Sequence, residues 1–172
     1  MARIDSHRGH FTSDAETTRL YDGMKGWQKN FGDTLTYFPF DKASTAWDDV
    51  YEEVTGAGRA YLSPIQLSCQ HVTMFAGPQE WDEQGAYQSN ALRAVVSYEI
   101  FTKSGMVLAD ILTEKYTFDR LVYKDKVYRI TQINEEGQIQ ERPTVVAIDA
   151  NQLRSDELVE DQAFSNYANR PI

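Results

Sequence analysis

The stretch from Arg120 to Ile133 constrains the fold more than any other. Arg120-Leu121-Val122-Tyr123 is apolar and rich in β formers, and Lys124-Asp125-Lys126 is a short polar break. After it, Val127, Arg129, Thr131 and Ile133 alternate with Tyr128, Ile130 and Gln132. Alternation with a period of two belongs to a strand, so the stretch reads as strand, tight turn, strand. A lone hairpin is marginal in water and needs further strands to bury its apolar face.

The rest of the chain supplies them. Thr34-Leu35-Thr36-Tyr37-Phe38 alternates and reads as a strand, closed by Pro39. Segment 61–76, with Ile65, Leu67, Cys69, Val72, Met74 and Phe75, reads as a strand of open register. Residues 91–101 are apolar and β-branched, again a strand. Asn134-Glu135-Glu136-Gly137-Gln138 reads as a turn, and Ile139 to Asp149 as the returning strand. Pro143 inside that strand marks an edge or a bulge. Residues 41–60 and 77–85 read as loops. The expected fold is all-β, a small barrel or sandwich.

A core spanning 32–150 is expected between two polar arms, 1–31 and 151–172. The 172-residue length suits one domain with arms. A short helix is expected in the first arm, Ser13 to Met24, with Ser13 and Glu16 in capping-box spacing and Gly23 and Gly26 ending it. Arms that cannot pack on a small core find a neighbour or stay mobile.

Charge narrows the function. The chain holds 17 basic and 26 acidic residues, net −9. Residues 1–31 hold five basic and four acidic residues, so they carry +1 and the remainder about −10. A duplex binder shows a basic face, and this chain does not have that balance. The single cysteine, Cys69, excludes an intramolecular disulfide and a cysteine-cluster zinc site. It fits a protein made in a reducing cytoplasm. No apolar run approaches the ~18–20 residues that cross a bilayer, and Met1 to His7 lacks the apolar stretch of a secretory signal.

The sequence offers little chemistry. His7 and His10 have ligand spacing but no matching carboxylate, and read as a tail pair. Cys69 and His71 share a strand face at i,i+2 but lack a glycine-rich elbow, so Cys69 reads as core filling. Asp48-Asp49, Glu52-Glu53, Asp82-Glu83 and Glu135-Glu136 are adjacent acids that point apart along a strand or loop, a solvated rim. No phosphate-binding, nucleophile-elbow or zinc-helix motif occurs. The expectation is no enzyme, no cofactor and no metal. Loop aromatics stand out instead: Trp27, Phe31, Trp47, Tyr51, Trp81 and Tyr87. Acids flank Trp47 and Trp81, which disfavours base stacking. Protein contact and capping of the core remain as two readings.

The layout from about residue 30 to 150 resembles the head-completion proteins of tailed phages, the head-to-tail connector or stopper family. The likeness rests on Gly32-Asp33-Thr34-Leu35-Thr36-Tyr37 and on Asp119-Arg120-Leu121-Val122-Tyr123-Lys124-Asp125-Lys126-Val127-Tyr128-Arg129-Ile130. The family's turn usually carries glycine where this chain has Lys124-Asp125-Lys126. The resemblance implies a β-barrel in a dodecameric or hexameric homo-oligomer ring of the virion neck, assembled in the host cytoplasm. A portal or adaptor ring would lie above and a tail terminator or tail tube below. Genomic DNA would pass through without specific binding, since an acidic channel repels phosphate. No membrane partner is implied. Trp47, Asp48, Asp49 and Tyr51 in one loop, and Trp81, Asp82 and Glu83 in another, are the candidate interface or channel residues. A tail terminator, head–tail adaptor or minor capsid protein is the alternative; a ligand-binding or enzymatic domain around His71 and Cys69 is a third.

Overall fold

The computed structural model describes residues 13–45, 47–48, 53–54, 58–77, 79–82, 85–106, 115–139, 142–154, 157–158 and 161–168. Its centre is a seven-stranded antiparallel sheet of β1 (Asp33–Phe38), β4 (Ile65–Cys69), β5 (His71–Phe75), β8 (Ala91–Ser97), β9 (Arg120–Tyr123), β10 (Lys126–Ile139) and β11 (Arg142–Gln152). The order is β4-β1-β9-β10-β11-β8-β5. The all-β expectation holds, with helices added at the periphery.

The two edge strands of this sheet, β4 and β5, are separated in the chain by Gln70 alone. A flat sheet of seven strands is roughly 29 Å across at ~4.8 Å per strand. One intervening residue reaches only about 7 Å. The sheet must therefore curl until its edges meet. A single strand bent at Gln70 pairs with β1 through its first half and with β8 through its second. At the bend Gln70 N–H donates to Val95 O at 2.7 Å. The result is a rolled sheet, not closed into a continuous hydrogen-bonded barrel.

The interior follows from strand alternation. Leu35 and Tyr37 of β1, Leu67 and Cys69 of β4, Leu92, Ala94 and Val96 of β8, and Val146, Ile148 and Ala150 of β11 share one buried cluster. β8 ends at Ser97, and the expected strand over 98–101 is instead α2 (Tyr98–Lys103). A Glu99–Lys103 ion pair at i,i+4 supports this turn. Its Phe101 is fully buried against the same cluster, so the helix caps the interior.

β9 is buried along its whole length because both of its faces are covered. Val122 and Val127 point outward, where Leu153, Leu158 and Phe164 of the C-terminal segment cover them. That segment carries a 3₁₀ turn, Gln162–Phe164, and a final short helix, α3 (Ser165–Ala168). The turn between β9 and β10 has Lys124 at φ 48° and Asp125 at φ 61°. This is the primed geometry that suits the twist of two-residue hairpins, here built without glycine.

Three further expectations change. The turn expected at 134–138 lies inside β10, which runs to Ile139. Register shifts around Gly137 absorb the irregularity, and a Cβ there would meet Thr144 Oγ1 at 2.6 Å. Pro143 pairs with Gln138 of β10 beside a register shift and lies beyond the stretch of β11 that pairs with β8, in keeping with the expected edge or bulge. The expected loops over 41–60 and 77–85 hold two small hairpins: β2 (Trp47–Asp48) with β3 (Glu53–Val54), and β6 (Gln79–Asp82) with β7 (Gly85–Gln88). The expected helix ending near Gly23 continues as α1 (Ser13–Phe31).

Candidate assembly surface

Two long hairpins leave the sheet at opposite ends. β10 and β11 pair from Tyr128–Gln152 to Ile139–Arg142, whereas β8 covers β11 only from Asn151 to Val145. Their distal part therefore projects past the Ser97 end of β8. The chain from β5 through β6 and β7 to β8 forms the second hairpin, since Phe75 faces Ala91 and Gln79 faces Gln88. It projects past the Ala91 end. At its base a Cβ on Gly77 would overlap Ser89 O, so only glycine permits the close backbone approach.

Trp81 faces Ala86 and Asp82 faces Gly85 near the end of this second hairpin. Trp47 faces Val54 and Asp48 faces Glu53 in the other small hairpin. The two candidate loops thus sit in separate two-stranded sheets outside the main one. Asp49, Tyr51 and Glu83 lie outside the described residues, as do His7 and His10.

α1 lies along the bend of the β4–β5 strand. Tyr21 OH donates to Pro143 O at 3.1 Å, Trp27 Nε1 to Gln70 O at 3.3 Å, and the Gln28 amide to Ser68 O at 3.1 Å. Lys25 pairs with Glu99 of α2 at 3.0 Å. Lys103 first and Lys25 second hold the Glu99 carboxyl below its ordinary range. Between α1 and the bend runs a groove of about 610 Å³ whose lining includes Leu20, Met24, Trp27, Phe31, Gln70 and His71. Trp27 is 57% and Phe31 70% exposed, with ring centroids 4.9 Å apart. These two rings, expected in a loop, stand on α1. The helical repeat of Leu20, Met24, Trp27 and Phe31 was the available signal, hidden by Gly23 and Gly26.

Cys69 faces the interior and is fully buried, and burial pushes its thiol up to about 12. His71, across the bend, is exposed. Cys69 is thus a core residue and not an activated nucleophile.

A second polar cluster is sealed. Asp119 accepts from Tyr37 OH and from Phe40 N–H, both at 2.7 Å. Asp161 lies 3.4 Å from Arg59 Nη1 and 3.8 Å from Arg120 Nε, and accepts from Tyr61 OH at 3.0 Å. Arg120 also donates to the carbonyls of Thr117 and Asp119. Burial raises the Tyr61 phenol and lowers the Arg120 guanidinium. This cluster fastens the C-terminal segment to the sheet. Among the described residues no group of three or more metal-ligating side chains converges, and no helix is long and apolar enough to cross a membrane.

No protein-family model and no curated protein matches the chain. Among solved structures, a similar chain belongs to the "Virion of native gene transfer agent (GTA) particle". It is 11% identical with a TM-score of 0.42, over 70% of this chain and 94% of that one. A likeness at that level carries no argument about what this chain does.

Proposed function

We propose that the chain is a structural protein of a tailed-phage neck, a ring component of the stopper type that closes the DNA channel after packaging and offers a docking face to the tail. The observation that carries this reading is the pair of long hairpins rooted in neighbouring strands and directed to opposite ends of one rolled sheet. A subunit between two rings needs contacts at both poles, and this arrangement supplies them from one rigid body. The sequence resemblance over about residues 30–150 supports the same reading. The net charge of −9 suits a wall that DNA passes without adhering.

The test is electron microscopy of particles from a phage in which this reading frame is interrupted. Heads that have lost DNA beside free, normal tails are the expected result. Tails of uncontrolled length would assign the chain to tail termination instead. Intact, infectious particles would overturn the neck reading. Purified chain is also expected to show negligible DNA affinity at ~0.15 M salt, with no steep salt slope.

A further inference from the structure

Tyr128 is fully buried in the interior of the roll, yet its hydroxyl finds a weak partner. It donates to Met74 Sδ at 3.7 Å and makes no other hydrogen bond among the described residues. Burial raises the phenol above its ordinary range, with Tyr123 a smaller cause, so the hydroxyl keeps its proton and remains a donor. A thioether sulfur is a weak acceptor. A buried donor without a full-strength bond is costly. The hydroxyl is thus aimed at an atom that one chemical change would turn into a strong acceptor.

Met74 is placed for that change. It stands on edge strand β5 two residues beyond Val72, which packs against the core, so both side chains belong to the inner face. Val72 is half-buried, whereas Met74 is 46% exposed. Met106 by contrast is sealed in the core, and Met24 is half-buried. Solvent access governs how fast a thioether is oxidised. The bond also has a long reach. β11 and β8 lie between β10 and β5 in the sheet, so the Tyr128–Met74 contact crosses the roll instead of following the strand ladder. Within the sheet β5 pairs with β8 alone. A stronger bond at Met74 fastens this edge to the opposite wall.

We propose that Met74 is a modification site: hydrogen peroxide oxidises its thioether in the folded chain, and Tyr128 donates to the sulfoxide oxygen in a hydrogen bond that tightens the β5 edge. In this step the Sδ lone pair takes one oxygen of the peroxide, and the O–O bond breaks. The proton of the transferred oxygen passes to the departing one, which leaves as water. Sulfur is oxidised by two electrons and the peroxide is reduced by two. Oxidation of a packed methionine ordinarily disrupts a core. Here it gives a buried donor a stronger acceptor.

The full chain, its Met74→Leu variant and its Tyr128→Phe variant are each treated with dilute hydrogen peroxide. Peptide mass spectrometry reads oxidation at each methionine, and thermal unfolding reads stability before and after. Met74 is expected to oxidise far faster than Met106. Oxidation at the other methionines is common to all three proteins, so Met74→Leu, which keeps the apolar volume, supplies the reference. Against it, the natural chain is expected to gain about 2–4 °C in midpoint on oxidation, the size of one added hydrogen bond in a chain of this length. Tyr128→Phe is expected to lose stability on oxidation, since its sulfoxide has no phenol to accept from. Native-state hydrogen exchange needs no variant: the amides of β5 are expected to exchange more slowly after oxidation. Oxidation of Met74 no faster than that of Met106 overturns the proposal. So does a midpoint that falls in the natural chain relative to Met74→Leu, an equal response in the natural chain and Tyr128→Phe, or β5 exchange that oxidation leaves unaltered.

Discussion

The two ends of this chain look alike in sequence and are fastened in opposite ways. Both are polar and poor in aliphatic residues. The contacts that hold α1 include side-chain hydrogen bonds from Tyr21, Trp27 and Gln28 and the Lys25–Glu99 ion pair, and Thr17 is its one buried residue among those described. The C-terminal segment buries Leu153, Leu158 and Phe164 on the outer face of β9 and β10. It also sends Asp161 into a sealed pair with Arg120. Burying a charge is costly unless it is paired, so each of these two charges requires the other. The N-terminal bonds have no such dependence. One end is thus fastened through buried apolar side chains and a buried charge pair, and the other through half-buried and exposed contacts.

Removing Asp161 is the severest way to break this contrast. Asp161→Ala leaves Arg120 and Arg59 without their carboxylate and is expected to cost about 3–5 kcal/mol by denaturant unfolding. Loss below about 1 kcal/mol would mean that water reaches the pair. Phe164→Ala tests the apolar half of the same attachment. The ring is fully buried and packs edge-on against Phe38 and Tyr61, both at 5.0 Å. About 3–5 kcal/mol is expected. On the N-terminal side, Tyr21→Phe removes one hydrogen bond and should cost about 0.5–1.5 kcal/mol. Native-state hydrogen exchange should show α1 opening well below the global unfolding free energy, while amides around Phe164 open only with the sheet.

A pH series sharpens the picture of the sealed interior. The unfolded Cys69 thiol titrates near 9.0, and the folded one is pushed up to about 12. Tyr123 is also raised, from 10.0 to about 12, by burial first and by its bond to Asp33 second. Above pH 9 the unfolded chain sheds protons that the folded chain keeps. Stability is therefore full below pH 9 and falls as pH rises toward 12. Thiol labelling of Cys69 should track global unfolding across that range. Labelling in step with α1 opening would show instead that the helix shields the bend. The smallest effect concerns the turn. Asp125 sits at φ 61° without being glycine, so Asp125→Gly is expected to stabilise by about 0.5–1 kcal/mol in thermal unfolding.

These contrasts explain which parts of the fold could be read from sequence. β1 and the β9–β10 hairpin announced themselves because alternation is a local property. The length of β10 did not, since bulges around Gly137 let a turn-like sequence stay in a strand. α1 ran past two glycines because bonds from Trp27 and Gln28 to the distant bend outweigh a propensity loss of about 1 kcal/mol each. The Asp161 attachment was illegible, as Leu153, Leu158 and Phe164 have no period among their acids. Of the candidate surface, the exposed aromatics Trp27 and Phe31 were noticed as residues. Only the fold puts them on one helix face beside His71.

Both hairpins grow from the β8–β11 pair, and that has a mechanical meaning. A pull on the β6–β7 tip draws β8 toward its Ala91 end. A pull on the other tip draws β11 toward its Val145 end. The seven paired positions from Ala91–Asn151 to Ser97–Val145 are then loaded in shear and share the force together. Peeling, which opens one pair at a time, is not the direction in which the molecule would be stretched. Tension between the two hairpin tips meets the sheet along its stiffest line.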